Sequence, residues 1–123
     1  MTKIARYLFG NEDAKNITTR TIAGEHWYMA LDVCSLLVIE NHSQAVHRDR
    51  VVDRNTLNEN EWCKVTIYTG TSRRKVLMIS NSGMLKLIFQ GKSPRALEVQ
   101  ERARKTPINL KPASWSDEIL KIR

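Results

Sequence analysis

Gly24–Arg50 reads GEHWYMALDVCSLLVIENHSQAVHRDR, and strand and helix patterns follow each other inside it. Gly24-Glu25 turns the chain into a short aromatic strand, His26 to Met29, that carries Trp27 and Tyr28. Leu31, Val33, Cys34, Leu37 and Val38 then recur at three and four residues, which is one apolar stripe of a helix. Asp32 falls in the first turn of that helix, where a carboxylate suits the helix dipole. Asn41 can cap a second short helix, with Gln44 three residues on in a capping-box arrangement. Ala45 and Val46 supply its apolar contact, and Ser43, His47, Arg48 and Arg50 are its polar content. Two short helices joined by a break, the second ending in basic residues, form a minimal device for offering one helix to DNA.

On the N-terminal side, Lys3 to Phe9 reads as a mixed strand and Gly10 to Asp13 as a turn. Asn16 to Ile22, rich in β-branched residues, reads as a further strand. On the C-terminal side, Asp49 to Glu61 is polar and irregular, as expected of a surface loop. Cys63, Val65 and Ile67, then Val76 and Met78, alternate on either side of Thr69-Gly70-Thr71-Ser72, which predicts a β-hairpin with a longer turn. Ser80 caps the next helix, whose apolar face is Met84, Leu85, Leu87, Ile88 and Phe89, and Gly91 ends it. Ser93-Pro94 starts another, with proline at the first helical position, and Pro107 limits it. Asp117 to Ile122 predicts a last short amphipathic helix. The expected architecture is α+β: a small antiparallel sheet with three to four packed helices, as one domain over 1–112 and a short helical tail over 113–123.

The composition places bounds on function. Twenty Lys and Arg against thirteen Asp and Glu give a formal charge of +7 in 123 residues. That balance points to an anionic partner and away from an acidic mimic of nucleic acid. The excess is uneven. Arg73, Arg74 and Lys75 form one cluster, and Gly91 to Pro112 holds six basic residues against Glu98 and Glu101. Phosphate contact by Arg73 to Lys75 on a hairpin competes with protection of an edge strand by charge. For Arg95 and Arg102, seven apart on one helix face, it competes with a solvated exterior paired to the two glutamates. Trp62 and Trp115 are candidate anchors for a protein partner, and Trp115 equally for the chain's own tail.

Catalytic and metal chemistry find little footing. Cys34, Cys63 and the three histidines form no C-x-x-C and no H-x-x-x-H, so no metal and no cofactor is expected. Nucleophile elbows and phosphate-cradling glycine loops are missing too, so no enzyme is expected. No apolar run approaches the ~18 residues that span a bilayer, and the two cysteines read as reduced thiols of a cytoplasmic protein.

The words W-Y-x-A-x-D-V-C-x-x-L and N-x-S-x-A in Gly24–Arg50 resemble the Bro-N domain of viral Bro proteins and phage antirepressors. Ile79-Ser80-Asn81-Ser82-Gly83-Met84-Leu85-Lys86-Leu87-Ile88 and Lys92-Ser93-Pro94-Arg95-Ala96-Leu97-Glu98-Val99 are similar to that family's I-N-E-S-G-L-Y-x-L-I and K-P-E-A-x-x-F helices, and the resemblance spans about residues 20 to 105. The chain departs from the pattern at Val38-Ile39-Glu40, His42 and Asn81. The resemblance implies a phage- or prophage-encoded regulator that binds DNA. Its alternative is a protein antagonist that blocks a repressor or a host nucleic-acid complex by direct contact. A homodimer spanning adjacent half-sites fits the first.

Overall fold

The computed structural model describes residues 2–38, 57–112 and 115. The predicted second helix, with Ser43, His47, Arg48 and Arg50, and the predicted tail helix both lie outside the described residues.

The chain opens with a helix, α1 (Lys3–Phe9), in place of the predicted strand. Ile4, Ala5, Leu8 and Phe9 are its buried residues, a spacing that suits one helical face and not a strand. Thr2 caps it, its hydroxyl accepting from the Ala5 amide at 3.2 Å. The expected turn after it is a single helical turn, α2 (Asn11–Ala14), entered through Gly10 at φ +87°. Strand β1 is shorter than predicted (Thr19–Ile22) and pairs antiparallel with β2 (Glu25–Met29). Helix α3 (Ala30–Leu36) follows at once and buries Ala30, Val33 and Cys34. Asp32 in its first turn accepts the Thr18 amide at 2.8 Å, which ties the start of the hairpin to the helix.

A capped 3-10 turn (Glu59–Glu61) leads into β3 (Trp62–Thr69) and β4 (Ser72–Ile79), then α4 (Asn81–Gln90) and α5 (Pro94–Arg104). Ser80 and Ser93 are the N-caps of the last two helices, as the sequence predicts. The four strands form one antiparallel sheet in the order β1-β2-β4-β3. Tyr28, Leu77 and Ile79 point to the helices and join the main core with Leu8, Phe9, Val33, Met84, Leu85, Ile88 and Val99. The opposite sheet face carries a smaller cluster of Trp27, Val76 and Met78, flanked by Met29, Cys63, Val65 and Ile67. Alternation on the strands thus separates two apolar sets, one on each face.

Two close contacts fix α4. Tyr28, fully buried, donates its hydroxyl proton to Asn81 Oδ1 at 2.7 Å. Burial pushes the Tyr28 hydroxyl above its ordinary pKa, against the pull of the Thr2 hydroxyl. Gly83 lets the helix approach the Glu61 carbonyl oxygen, which a Cβ would meet at 2.8 Å. At the far end, the buried Gln100 amide donates to the Ile88 and Gly91 carbonyls, both at 2.9 Å, and so closes the α4 C-terminus against α5.

The β1–β2 turn is of the type I′ form, with Ala23 at φ +52° and Gly24 at φ +82°. Alanine is strained in that left-handed region, whereas asparagine tolerates it. Ala23→Asn is therefore expected to stabilise the fold by about 0.5–1 kcal/mol, measured as an unchanged denaturant slope with a raised midpoint.

Candidate nucleic-acid interface

The β3–β4 hairpin is built by eight consecutive cross-strand pairs from Trp62↔Ile79 to Thr69↔Ser72. Its turn is the two residues Gly70-Thr71, tighter than the four-residue turn expected. Gly70 at φ +60° supplies the conformation a type II′ hairpin needs at its first position. β2 pairs with β4 only at Tyr28↔Ile79 and Met29↔Met78. Beyond that point the hairpin continues as a two-stranded ribbon. Its burial changes accordingly: Val76 to Ile79 are buried, whereas Ser72, Arg73, Arg74 and Lys75 are all exposed.

The register assigns each ribbon side chain to a face. Lys64, Thr66 and Tyr68 lie across from Leu77, Lys75 and Arg73, so these six share the face that the helices cover near the base. Ile67 lies across from Arg74 on the other face. Tyr68 is 70% exposed. Thr66, Tyr68, Arg73, Arg74 and Lys75 border a shallow hollow of about 350 Å³. Between Trp62 and Ile79 there are four cations and no acid. Among the described residues, Lys64, Arg73, Arg74 and Lys75 have no ion pair and no side-chain hydrogen bond.

The arginines of α5 are differently placed. Arg95 donates to the Phe9 carbonyl at 2.6 Å and to Asp13 Oδ2 at 2.8 Å, and it pairs with Glu98. Arg102 donates to the Leu8 carbonyl at 3.1 Å and lies 3.6 Å from Glu98. Both guanidiniums satisfy carbonyls that α1 leaves open at its C-terminus, where the helix dipole also favours a cation. Arg104 lies 3.6 Å from Glu101 and stacks 5.0 Å from the centre of the Phe89 ring. The basic excess after Gly91 is therefore bound up, in these three residues, with packing α5 against its neighbours: Arg95 and Arg102 against α1, and Arg104 against Phe89 of α4.

Among the tryptophans, Trp62 is half-buried against the main core, and Trp27 is buried in the smaller cluster. Trp115 is 4% exposed and donates its indole N–H to the Asn81 carbonyl at 3.0 Å. Trp115 is thus held against the start of α4. Cys34 is buried, and burial pushes its thiol up to about 12. Cys63, expected to be buried, is half-buried, and both cysteines are free thiols. Among the described residues no cluster of His, Cys, Asp and Glu could hold a metal ion, and no helix is long and apolar enough to cross a membrane.

Tyr68, Thr66 and Lys64 are members of this surface that carry no motif of their own. Their signal is the alternation itself: a turn centred on Gly70-Thr71 sets Tyr68 directly across from Arg73.

No curated protein and no solved structure matches the chain. The family model of the N-terminal domain of the BRO family, Bro-N, matches residues 16–105, a span that holds both hairpins, α3, α4 and α5. Over more than half its length, with the strand–helix order in place, this chain belongs to the BRO family through its N-terminal domain.

Proposed function

We propose that this protein is a DNA-binding regulator of the antirepressor type, phage- or prophage-encoded and non-enzymatic, and that the β3–β4 ribbon is its principal contact surface. The observation that carries the reading is the state of its cations. Arg73, Arg74 and Lys75 stand exposed on a projecting ribbon without an intramolecular partner among the described residues, whereas Arg95 and Arg102 are held by carbonyls and carboxylates. Cations with no internal partner are the ones available to replace the counterions condensed on DNA. A two-stranded ribbon also has the width that the major groove admits. Membership of the BRO family supports a regulatory, nucleic-acid-directed role.

Light scattering with and without a short duplex, at two salt concentrations, tests this reading. At low salt the duplex is expected to raise the particle mass by at least one protein per duplex, and at high salt the shift is expected to vanish. The same traces report whether the free protein is one copy or two. An unchanged mass at low salt contradicts the reading. A stoichiometric protein partner recovered from nuclease-treated host lysate, with no retention on DNA, would instead favour an antagonist that works by protein contact.

A further inference from the structure

The two faces of the projecting ribbon differ in chemistry. One presents two cross-strand pairs in which every side chain can form hydrogen bonds: Thr66↔Lys75 and Tyr68↔Arg73. All four are exposed. The other presents Val65↔Val76 and Ile67↔Arg74, in which only Arg74 can. Successive pairs on one face are two residues apart, about 6.7 Å at the rise of an antiparallel strand. Two base-pair steps of duplex DNA rise about the same distance. The ribbon thus offers a two-by-two array of donors and acceptors in step with base-pair edges. A guanidinium sits at one corner, directly across from a tyrosine that holds the neighbouring space.

We propose that this face reads sequence in the major groove, with Arg73 donating both its terminal N–H groups to a guanine edge, while Arg74 holds phosphate. The inference rests on the reading of the ribbon as a DNA-binding surface and adds to it a division of labour between adjacent arginines. The register carries that division, since neighbouring residues of a strand point to opposite faces. Arg74 belongs to the apolar face. It also lies on β4, whose edge is no longer covered by β2 at this point, and it borders the same hollow as Arg73. Its charge is therefore placed for the rim of a groove and Arg73 for the floor. Arginine forms the commonest specific contact of this kind, a paired bond to guanine O6 and N7.

The test is selection from a pool of duplexes with a randomised core, followed by binding measurements on the selected duplex. The wild-type chain is expected to enrich duplexes with guanine at a fixed position. Replacing that guanine by 7-deazaguanine, which lacks the N7 acceptor, is expected to weaken wild-type binding about tenfold. Arg73→Ala is expected to retain the pool without enriching any subset and to be indifferent to the 7-deaza replacement. Arg74→Ala is expected to keep the preference and lose affinity for every duplex by the same factor. Both positions are exposed, so melting curves of the two variants should overlay that of the wild type. If the wild type retains the pool but enriches nothing, or if Arg73→Ala keeps the preference, base reading by this face is overturned while DNA binding stands. Failure to retain any duplex at low salt overturns both.

Discussion

Glu61→Ala is expected to cost about 3 kcal/mol of folding stability, as removal of one partner from a buried ion pair does. Glu61 is 4% exposed at the end of the 3-10 turn that starts β3. Its carboxylate accepts from Lys86 Nζ at 2.7 Å and from the Asn58 amide at 2.8 Å. Burial raises its pKa, but hydrogen bonds from Lys86, Asn58 and Ser82 and the Lys86 charge outweigh that and hold it below the usual carboxylate value. The pair joins the base of the ribbon to the middle of α4, so its loss loosens the mount of the proposed contact surface. The sign of the pH dependence follows from the depressed pKa. The stabilisation is fully present above the unfolded carboxylate value of about 4.3 and is lost as pH falls through the lower folded value. Denaturant titrations of wild type and variant should therefore differ by about 3 kcal/mol at neutral pH, and the gap should narrow as pH falls below the unfolded carboxylate value and through the lower folded one. A constant gap across that range would mean that the charge of Glu61 is not what stabilises the contact.

Arg95→Ala is expected to lower stability by about 2 kcal/mol, within the range for hydrogen bonds to charged groups. It should leave the salt dependence of DNA binding unchanged. Its guanidinium bridges α1, α2 and α5 through the Phe9 carbonyl, Asp13 and Glu98. Removing it frees one carbonyl at the end of α1 and strands Asp13 without its cation. The opposite pattern is expected of Arg73→Ala with Arg74→Ala: melting within about 0.5 kcal/mol of wild type, because both side chains are exposed and without a partner among the described residues, and a marked loss of DNA affinity. The pair of variants separates structural arginines from binding ones. An Arg95→Ala protein that is as stable as wild type yet binds DNA poorly would reverse the assignment.

Much of this division is legible in the sequence, and the limits have physical causes. The caps at Ser80 and Ser93, the end at Gly91 and the apolar face of α4 follow from local rules that depend on a few neighbouring residues, and each is found in place. The hairpin is legible from its alternation, but its turn is shorter than the residue types suggest, because Thr69 and Ser72 pair with each other and do not loop. α1 escapes a reading of the sequence for a related reason. Ile4, Tyr7, Leu8 and Phe9 suggest a mixed strand, and only when Ala5 is counted with them does the helical spacing emerge. At the candidate interface, sequence finds the cations but not their partners. Arg95 meets Phe9 and Asp13 across more than eighty residues of chain, through the packing of α1 on α5. Arg73 and Arg95 look alike in sequence and differ in what the fold brings to them.

Under the proposed function, the exposed cations of the β3–β4 ribbon hold nucleic acid. The most direct measurement is the slope of log affinity against log salt for a short duplex, taken for the wild type and for the Arg73→Ala, Arg74→Ala double variant. The wild type is expected to show a steep negative slope, and the variant a slope shallower by about 0.9, for the phosphate that Arg74 no longer neutralises. A shallow slope for the wild type, or the same slope for both proteins, would contradict a DNA-binding role for these two arginines.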